Sequence, residues 1–307
     1  MEKYSYDIII PVASKDVAFV PRVVKYIRKN LKEADTIYVI SNIRNRKSLN
    51  GSLSVFDKCE FIDENNLLSG LDYRRVQELL WAKDKSLSVG WFFQQFLKFG
   101  FGLTEFAQTY YLSWDADTLP LRDIPFFKDG HPLFTMKYEY NDNYFRTIER
   151  LIGIKKNTDF SYIAEHMLFN KEVMRNLIAE IEVSDIPGSN WIEKIINAGN
   201  YEAGKPTFSE FETYGTYVHE KYPKLYLSRT LNTFRYGGFI HGRKIEDWKL
   251  DKISFDTDTI SFELGHEPLF PYNIGQRIEK WSVLFFSSMK KYTFKEFFNR
   301  LIVYLRH

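Results

Sequence analysis

The chain has 307 residues, of which 44% are hydrophobic and 17% are aromatic, and its formal net charge is +2. This composition predicts either one large α/β domain with an appendage or two small domains, with a substantial core. The near balance of charges gives no general attraction to nucleic acid. The single cysteine excludes internal disulfides and cysteine-based zinc sites, and it fits a reducing compartment.

Neither a signal peptide nor a membrane-spanning helix is expected. The N-terminal residues lead directly into a strand-like run. No apolar run approaches the length of about 18 residues that is needed to cross a bilayer. We therefore expect a cytoplasmic protein, attached at most to a membrane surface.

The first part of the chain alternates strand-like and helix-like patterns. Strands are predicted over 7–12 and 36–41, and between them apolar residues recur at helical spacing over 17–31. This β–α–β order predicts a parallel sheet with right-handed crossovers. The next elements predicted are a polar loop over 42–53, a third strand over 61–63, a buried helix over 87–101 and a buried strand over 110–114.

The second part predicts further strands and helices and then a different composition. Strands are expected over 132–140 and over 233–241, the latter broken by Gly237 and Gly238, and helices over 142–152, 161–181 and 208–219. Ser209 is expected to cap the last of these helices, with Glu212 in a capping box. We expect one domain over 1–275 and an extension over 276–307.

The extension interleaves basic and aromatic side chains. It contains seven Lys or Arg residues and two Glu residues. A basic, aromatic pair of amphipathic helices is typical of a surface that binds anionic lipid. The alternative is a C-terminal helix packed on the core with a solvated basic face.

Two carboxylates follow the buried strand over 110–114, and they are the most informative feature of the chain. Asp115 and Asp117 stand two residues apart at the carboxyl end of this strand. Ligands of open α/β sheets bind at that end of the strands. Hard oxygen donors there suit Mg²⁺ or Mn²⁺ carrying a diphosphate. The alternative is an ordinary strand-to-loop turn, where Asp is common.

The segment over 111–124, Tyr-Leu-Ser-Trp-Asp-Ala-Asp-Thr-Leu-Pro-Leu-Arg-Asp-Ile, resembles the Asp-x-Asp segment of the glycogenin-like and bacterial lipopolysaccharide galactosyltransferase family. The segments over 90–98, 165–169 and 208–215 resemble glycosyltransferase-like proteins of bacterial polysaccharide biosynthesis. The resemblance covers roughly residues 5–245. It implies a GT-A fold, which is a Rossmann-like, mostly parallel sheet flanked by helices.

The resemblance also implies a metal-dependent glycosyltransferase. Such an enzyme would move a hexose-like sugar from a nucleotide diphosphate, with a UDP-sugar expected, to a hydroxyl of a lipid-linked cell-surface glycan of capsule or lipopolysaccharide type. Asp115 and Asp117 would hold Mn²⁺ or Mg²⁺, and Asp115 would also contact the donor. A histidine often completes the metal site in these families. His241 begins a similar His-Gly-Arg-Lys-Ile-Glu-Asp-Trp stretch with altered spacing, and His266 is the competing candidate.

Glu210, Glu212 and His166 are the candidates for a direct part in the chemistry. A carboxylate could deprotonate the acceptor or support an oxocarbenium-like state. On a helix, Glu210 and Glu212 point about 200° apart, so only one can face the site. We prefer Glu210, because Glu212 can serve as a cap. His166 is expected to contact a sugar or the acceptor, the alternative being a buried structural histidine.

Four further side chains are expected to contact the donor. Gln95 and Lys98 lie on an otherwise bulky apolar helix, where buried polar groups need a partner, and either a nucleotide sugar or neighbouring backbone could supply it. Lys15 and Arg44 follow the first two strands at the ligand edge, where they could contact the base or the diphosphate.

Two other functions fit the same residues. One is a nucleotidyl- or phosphotransferase that uses the acidic pair, although the chain lacks the G-x-x-x-x-G-K-[ST] phosphate loop. The other is a non-catalytic carbohydrate-binding or membrane-associated protein that stacks sugars on its aromatic side chains. Retention and inversion of the sugar stereochemistry both remain open at this point.

Overall fold

The computed structural model describes residues 4–201 and 206–275, together with residues 277, 278, 281 and 282. The strands are β1 (Tyr6–Val12), β2 (Ala34–Ser41), β3 (Cys59–Asp63), β4 (Tyr110–Trp114), β5 (Thr118–Pro120), β6 (Phe127–Lys128), β7 (His131–Thr135), β8 (His166–Asn170), β9 (Leu227–Arg229), β10 (Thr233–Phe234) and β11 (Thr259–Ser261). The helices are α1 (Val20–Asn30), α2 (Arg46–Leu53), α3 (Tyr73–Trp81), α4 (Val89–Phe101), α5 (Asp142–Ile152), α6 (Lys171–Val183), α7 (Trp191–Ala198), α8 (Glu210–Lys221), α9 (Gly237–His241) and α10 (Asp247–Ile253).

A five-stranded sheet in the order β3-β2-β1-β4-β8 forms the centre of the described chain. The first four strands run parallel, and β8 pairs antiparallel with β4 at one edge. Two three-stranded sheets, β10-β11-β5 and β6-β7-β9, accompany it. The predicted α/β fold with a mostly parallel sheet flanked by helices is therefore confirmed.

Strand β1 is apolar from Ile8 to Val12 because helices cover both faces of the sheet. Successive side chains of a strand point to opposite faces. Accordingly, Ile8 and Ile10 join an apolar cluster with α1, α2 and α10, whereas Ile9 joins the cluster that contains α3 to α8. Burial on both faces explains why the central strands read as continuous apolar runs rather than as alternating patterns.

The helix predicted over 161–181 is wrong in its first half. Residues 166–170 form β8, and α6 begins only at Lys171, where the Asn170 side chain accepts a hydrogen bond from Val173 N at 3.1 Å. A short apolar run cannot by periodicity alone be told from a buried helical segment. Pairing with β4, which brings Leu168 opposite Leu112, decides for the strand.

The loop predicted over 42–53 is also wrong. A 3-10 turn over Ile43–Asn45 leads into α2, which buries only Leu49 and Leu53. These two residues lie four apart and therefore share one face of the helix, while the other residues are polar except for Gly51. The sequence of this segment is so polar that it gives little indication of a helix. In the folded chain the two leucines pack beneath α2, and this packing favours the helix.

Two predicted strands are shorter than expected. The strand predicted over 132–140 ends at Thr135. The strand predicted over 233–241 is confined to Thr233–Phe234, and residues 237–241 form α9 instead. Gly237 approaches Ile260 so closely that an added Cβ would lie 2.5 Å from its Cγ1. The glycine pair therefore serves a tight packing contact rather than a break in a strand.

The predicted extension over 276–307 lies outside the described residues, except for residues 277, 278, 281 and 282. The boundary at residue 275 stays a prediction. Within the described residues, no helix is both long enough and apolar enough to cross a membrane.

Candidate functional site

Two acidic side chains follow β4 at the point where the order of the sheet reverses. From β1 the chain proceeds outward through β2 and β3, and it then returns to β4 on the other side of β1. The carboxyl ends of β1 and β4 therefore flank the crevice in which open α/β sheets bind ligands. Asp115 and Asp117 follow β4, and Asp16 follows β1.

A buried lysine links Asp115 to Glu210. Lys98 Nζ donates hydrogen bonds to Asp115 Oδ1 at 3.1 Å and to Glu210 Oε1 at 2.7 Å, and it lies 4.4 Å from the ring centroid of Phe211. Burial by itself would lower the pKa of Lys98, but the two carboxylates raise that pKa above its usual value. The ammonium group is therefore charged at neutral pH and balances part of the negative charge beside β4.

The N-terminus of α8 is held against α4. Ser209 caps this helix as predicted, with its side chain accepting from Glu212 N at 3.3 Å. Gln95 Oε1 accepts from Glu210 N at 3.0 Å, and Gln95 Nε2 donates to Trp91 O at 3.2 Å. Gln95 thus positions the backbone of Glu210, and backbone partners occupy both ends of its amide. The predicted contact between Gln95 and the donor stays a prediction.

Negative charge is concentrated around Asp117. Burial, followed by the charges of Asp115, Asp16 and Glu263, raises the pKa of Asp117 to about 7, although Arg243 acts in the opposite direction. The guanidinium of Arg243 pairs with Asp16, with Nη2 2.9 Å from Oδ1. Arg243 and Lys98 therefore face Asp16, Asp115, Asp117 and Glu263 at this end of the sheet, a charge balance that favours the approach of a cation.

A pocket of about 350 Å³, here called the small pocket, opens beside Asp115 and contains Lys98 and Glu210. Aromatic rings and polar groups alternate on its walls. They include Trp91, Gln94, Glu139, Tyr140, Asn141, Tyr144, Ser209, Phe211 and Arg235. Polar and charged side chains outnumber the apolar ones in this lining, so the pocket suits a polar ligand whose orientation hydrogen bonds would determine.

A larger cleft of about 970 Å³ runs along the carboxyl ends of β1, β2 and β3. Its lining includes Ser14, Asn42, Arg44, Asn45, Glu64, Asn65, Asp72, Tyr73, Phe93 and Gln94. Its volume lies near the upper end of the range of roughly 300–1,000 Å³ that ligand pockets occupy. Gln94 lines both cavities, so the large cleft and the small pocket adjoin along α4.

Glu212 lies on the side of α8 away from Glu210, as helical geometry predicts. Its carboxylate does not close the predicted capping box but accepts hydrogen bonds from Ser161 Oγ and from Tyr162 N, the latter at 3.1 Å. Burial raises the pKa of Glu212, and the Ser161 hydrogen bond partly opposes this. Of the two glutamates, only Glu210 lines the small pocket. The catalytic role predicted for either glutamate stays a prediction.

His166 is enclosed beneath the acidic pair. Its Nε2 lies 2.9 Å from Thr135 Oγ1, and its ring stacks on Trp114 with centroids 4.9 Å apart. Burial lowers the pKa of His166 well below its usual value, so the ring is neutral at physiological pH. These are the contacts of a buried structural histidine, and a contact between His166 and a sugar stays a prediction.

The two candidate histidine ligands lie in different surroundings. His241 ends α9 and lines a cavity of about 160 Å³ beside Tyr272. His266 is buried, and it stacks on Phe239 with centroids 4.1 Å apart. Among the residues that the structure describes, no group of three or more His, Cys, Asp or Glu side chains could hold a metal ion. The third metal ligand therefore stays a prediction for either histidine.

Lys15 and Arg44 lie at the carboxyl edge of the sheet, as predicted. Lys15 is exposed, and its carbonyl oxygen accepts from Arg243 Nη1 at 3.3 Å. Arg44 lines the large cleft, and its Nε donates to Asn42 Oδ1 at 2.8 Å. Neither position decides between the base and the diphosphate as the expected partner.

A charged network beside the small pocket was not predicted. Arg235 pairs with Glu139 on the pocket wall, and its Nε lies 3.3 Å from Glu165 Oε1. Lys137 Nζ lies 3.6 Å from Glu165 Oε2, and Glu165 O accepts from Asp115 N at 3.0 Å. The one signal in the sequence was a charged residue, Glu165, at the head of an apolar run.

Comparisons with known proteins give matches among solved structures. No protein-family model matches the sequence, and a search of the curated proteins gives no match. Among solved structures, the chain is similar to the bifunctional glycosyltransferase WbbM (12% identity, 84% of this chain, TM-score 0.42) and spans 46% of the length of that protein. It is similar to the galactosyltransferase LgtC in complex with donor and acceptor sugar analogues (14% identity, 89% of this chain and 94% of that chain, TM-score 0.43). It is also similar to mouse xyloside xylosyltransferase 1 (12% identity, 84% of this chain and 97% of that chain, TM-score 0.44).

Proposed function

We propose that this chain transfers a sugar from a nucleotide diphosphate donor to a hydroxyl group of a glycan. The observation that carries the proposal is the position of Asp115 and Asp117. They follow β4 at the reversal of the sheet order, and Asp115 opens onto the small pocket beside the large cleft. A donor laid along this edge would place its nucleoside in the large cleft and its sugar in the small pocket.

Asp115 and Asp117 are suitable ligands for Mg²⁺ or Mn²⁺. Asp115 and Asp117 supply hard oxygen atoms, and the surplus of carboxylates around Asp117 is a setting that a divalent cation would stabilise. With two protein carboxylates as ligands, the remaining coordination positions of the cation would be filled by water and by substrate phosphate. This is the usual arrangement for Mg²⁺. The bound cation would neutralise charge on the departing diphosphate.

Lys98 and Glu210 have complementary tasks in this proposal. The Lys98 ammonium, fixed between Asp115 and Glu210, places a positive charge on the wall of the small pocket beside Asp115, where the leaving diphosphate would gain negative charge. Glu210 presents a carboxylate to the small pocket, where it can accept a proton from the acceptor hydroxyl or support positive charge on the sugar.

The acceptor is proposed to be a cell-surface glycan on a lipid carrier. Support for a membrane-facing side comes from the basic composition of 276–307 and from large exposed side chains that precede it. Leu269 is 68% exposed, and Phe270 is 78% exposed. Apolar side chains beside basic ones are the combination that binds anionic bilayer surfaces.

Ligand-dependent thermal stability tests the proposal. Wild type, Asp117→Asn and the matched control Asp123→Asn would be heated with UDP, GDP, CDP or dTDP and their sugar conjugates, in Mn²⁺ or in EDTA. A ligand at about 100 times its Kd should stabilise the folded state by about 2.7 kcal/mol. We expect Mn²⁺-dependent stabilisation in wild type and in Asp123→Asn, whose side chain is exposed, and none in Asp117→Asn.

The two other candidate functions give different results. A carbohydrate-binding protein without catalysis would respond to glycans and to no nucleotide in any condition, which would remove the diphosphate role of the acidic pair. A nucleotidyltransferase would consume a nucleoside triphosphate and release pyrophosphate. Release of a nucleoside diphosphate only when sugar donor and glycan acceptor are both present would support glycosyl transfer.

A further inference from the structure

A carboxylate in the large cleft has its orientation determined by its neighbours. Glu64 follows β3, is half-buried and lines the cleft. Its Oε1 accepts a hydrogen bond from Asn42 Nδ2 at 3.0 Å. Asn42 Oδ1 in turn accepts from Arg44 N at 3.2 Å and from Arg44 Nε at 2.8 Å. The arginine therefore orients the amide, and the amide orients the carboxylate.

The other carboxylate in the cleft lining is used within the fold. Asp72 caps α3 by accepting from Arg75 N at 3.0 Å. Glu64 makes no such cap. Burial raises the pKa of Glu64, and the hydrogen bond from Asn42 opposes this. Keeping a partly buried carboxylate at the wall of a cleft costs free energy, which a ligand able to donate hydrogen bonds would recover.

The position of Glu64 suits the nucleoside end of the donor. At the carboxyl edge of the sheet, the strands follow in the order β4, β1, β2, β3. Neighbouring strands lie about 4.8 Å apart, so the end of β3 is roughly 14 Å from the end of β4 that carries the acidic pair. This separation is comparable with the length of an extended nucleoside diphosphate. A diphosphate at Asp115 and Asp117 would therefore direct its nucleoside toward Glu64.

The chemistry of a carboxylate restricts what it can bind. An ionised carboxylate accepts hydrogen bonds and donates none. A nucleoside offers it adjacent donors at two places, the N1–H and amino group of guanine or the hydroxyl pair of ribose. Uracil offers a single N–H between two carbonyl oxygens, and those oxygens would be repelled by the carboxylate.

We propose that Glu64 selects the donor by accepting hydrogen bonds from its nucleoside, either from a guanine edge or from the ribose hydroxyls. Arg44 and Asn42 are positioning residues in this arrangement, because they act through Glu64. The inference rests on the proposed function, since it requires that a nucleotide occupies the large cleft. Beyond that function, it identifies Glu64 as a residue that distinguishes between nucleotide donors.

Nucleotide affinities measured by isothermal titration calorimetry on three proteins test this inference. Wild type, Glu64→Gln and Glu60→Gln would be titrated with GDP, UDP and 2′-deoxy-GDP in Mn²⁺. Glu60 is an exposed glutamate on the same strand and does not line the cleft, so it controls for the loss of one charge. The amide oxygen in Glu64→Gln can still accept from Asn42 Nδ2, and thermal unfolding of Glu64→Gln would be compared with that of wild type. We expect GDP to bind Glu64→Gln at least about tenfold more weakly, and Glu60→Gln as wild type.

The nucleotide panel separates the two sources of hydrogen bonds. Contact with guanine weakens GDP binding to Glu64→Gln and leaves UDP binding unchanged. Contact with ribose weakens GDP and UDP equally, and 2′-deoxy-GDP then binds wild type more weakly than GDP does. Wild-type affinity of folded Glu64→Gln for every nucleotide would overturn the inference alone. A wild type that binds no nucleotide would overturn the proposed function as well.

Discussion

Lys98 and Glu210 form an ion pair in the interior, with Nζ 2.7 Å from Oε1 and side-chain exposures of 4% and 7%. The two residues are 112 positions apart in the chain. Because Lys98 also binds Asp115, the pair joins α4 and α8 to the end of β4. The geometry of the small pocket and the stability of the domain therefore depend on the same contact.

Replacing Lys98 with Met should be strongly destabilising. The change leaves Glu210 buried without its cation, and breaking a buried pair from one side costs about 3–5 kcal/mol. Lys25→Met is the control, because Lys25 pairs with Asp247 through a side chain that is 57% exposed, and it should cost less than about 1 kcal/mol. Urea unfolding at pH 7 measures both. Equal losses would show that the Lys98 contact is no stronger than a surface pair.

Glu210→Gln should reduce sugar transfer in the folded protein while leaving donor binding unchanged, because Lys98 keeps its pair with Asp115 and can still donate to the amide oxygen. The amide keeps the shape of the side chain but cannot act as a base, and such a group contributes about 10²–10⁴-fold to a rate. Glu220→Gln on the same helix is the control, since Glu220 is exposed. Nucleotide release with donor and acceptor present gives the rate, and titration gives the Kd. A rate that matches the control would remove Glu210 from the chemistry.

Gly215→Ala should destabilise the domain. A Cβ at this position of α8 would overlap the ring of buried Tyr162, and overpacking of this kind costs about 1–3 kcal/mol. Gly51→Ala in α2 meets no atom within 4 Å and should instead stabilise by about 0.5–1 kcal/mol, because alanine is the better helix former. Chemical denaturation of both variants supplies the test. The same sign for both would mean that Tyr162 moves aside.

Asp247 should make stability depend on acid pH. Hydrogen bonds from Lys25 at 2.7 Å and Arg22 at 2.6 Å lower the pKa of Asp247 from 3.8 to about 2. Since the folded pKa is the lower one, the stabilisation is complete above about pH 4 and is lost as the pH falls toward 2. The difference in melting temperature between wild type and Asp247→Asn should therefore shrink over that interval. A difference that stays constant down to pH 2 would contradict the assignment.

Elements with a strong periodic pattern could be predicted from the sequence. The helix over Asp142–Ile152 has the predicted bounds, and β1 and β4 stand where apolar runs indicated strands. These patterns are local, because a helix face repeats within four residues and a buried strand is a continuous run. The strand β8 was missed because only its pairing with β4 distinguishes it from the start of a helix.

The candidate site also has features that the sequence predicts and features that depend on contacts between distant residues. Residue order alone shows that Asp115 and Asp117 follow a buried strand, because chain neighbours and strand ends can be read from it directly. The bridge that Lys98 makes between Asp115 and Glu210, and the place of Glu64 in the large cleft, appear only in the folded chain. Those contacts join residues far apart in the chain, and they arise from helix packing and strand order, which no local pattern encodes.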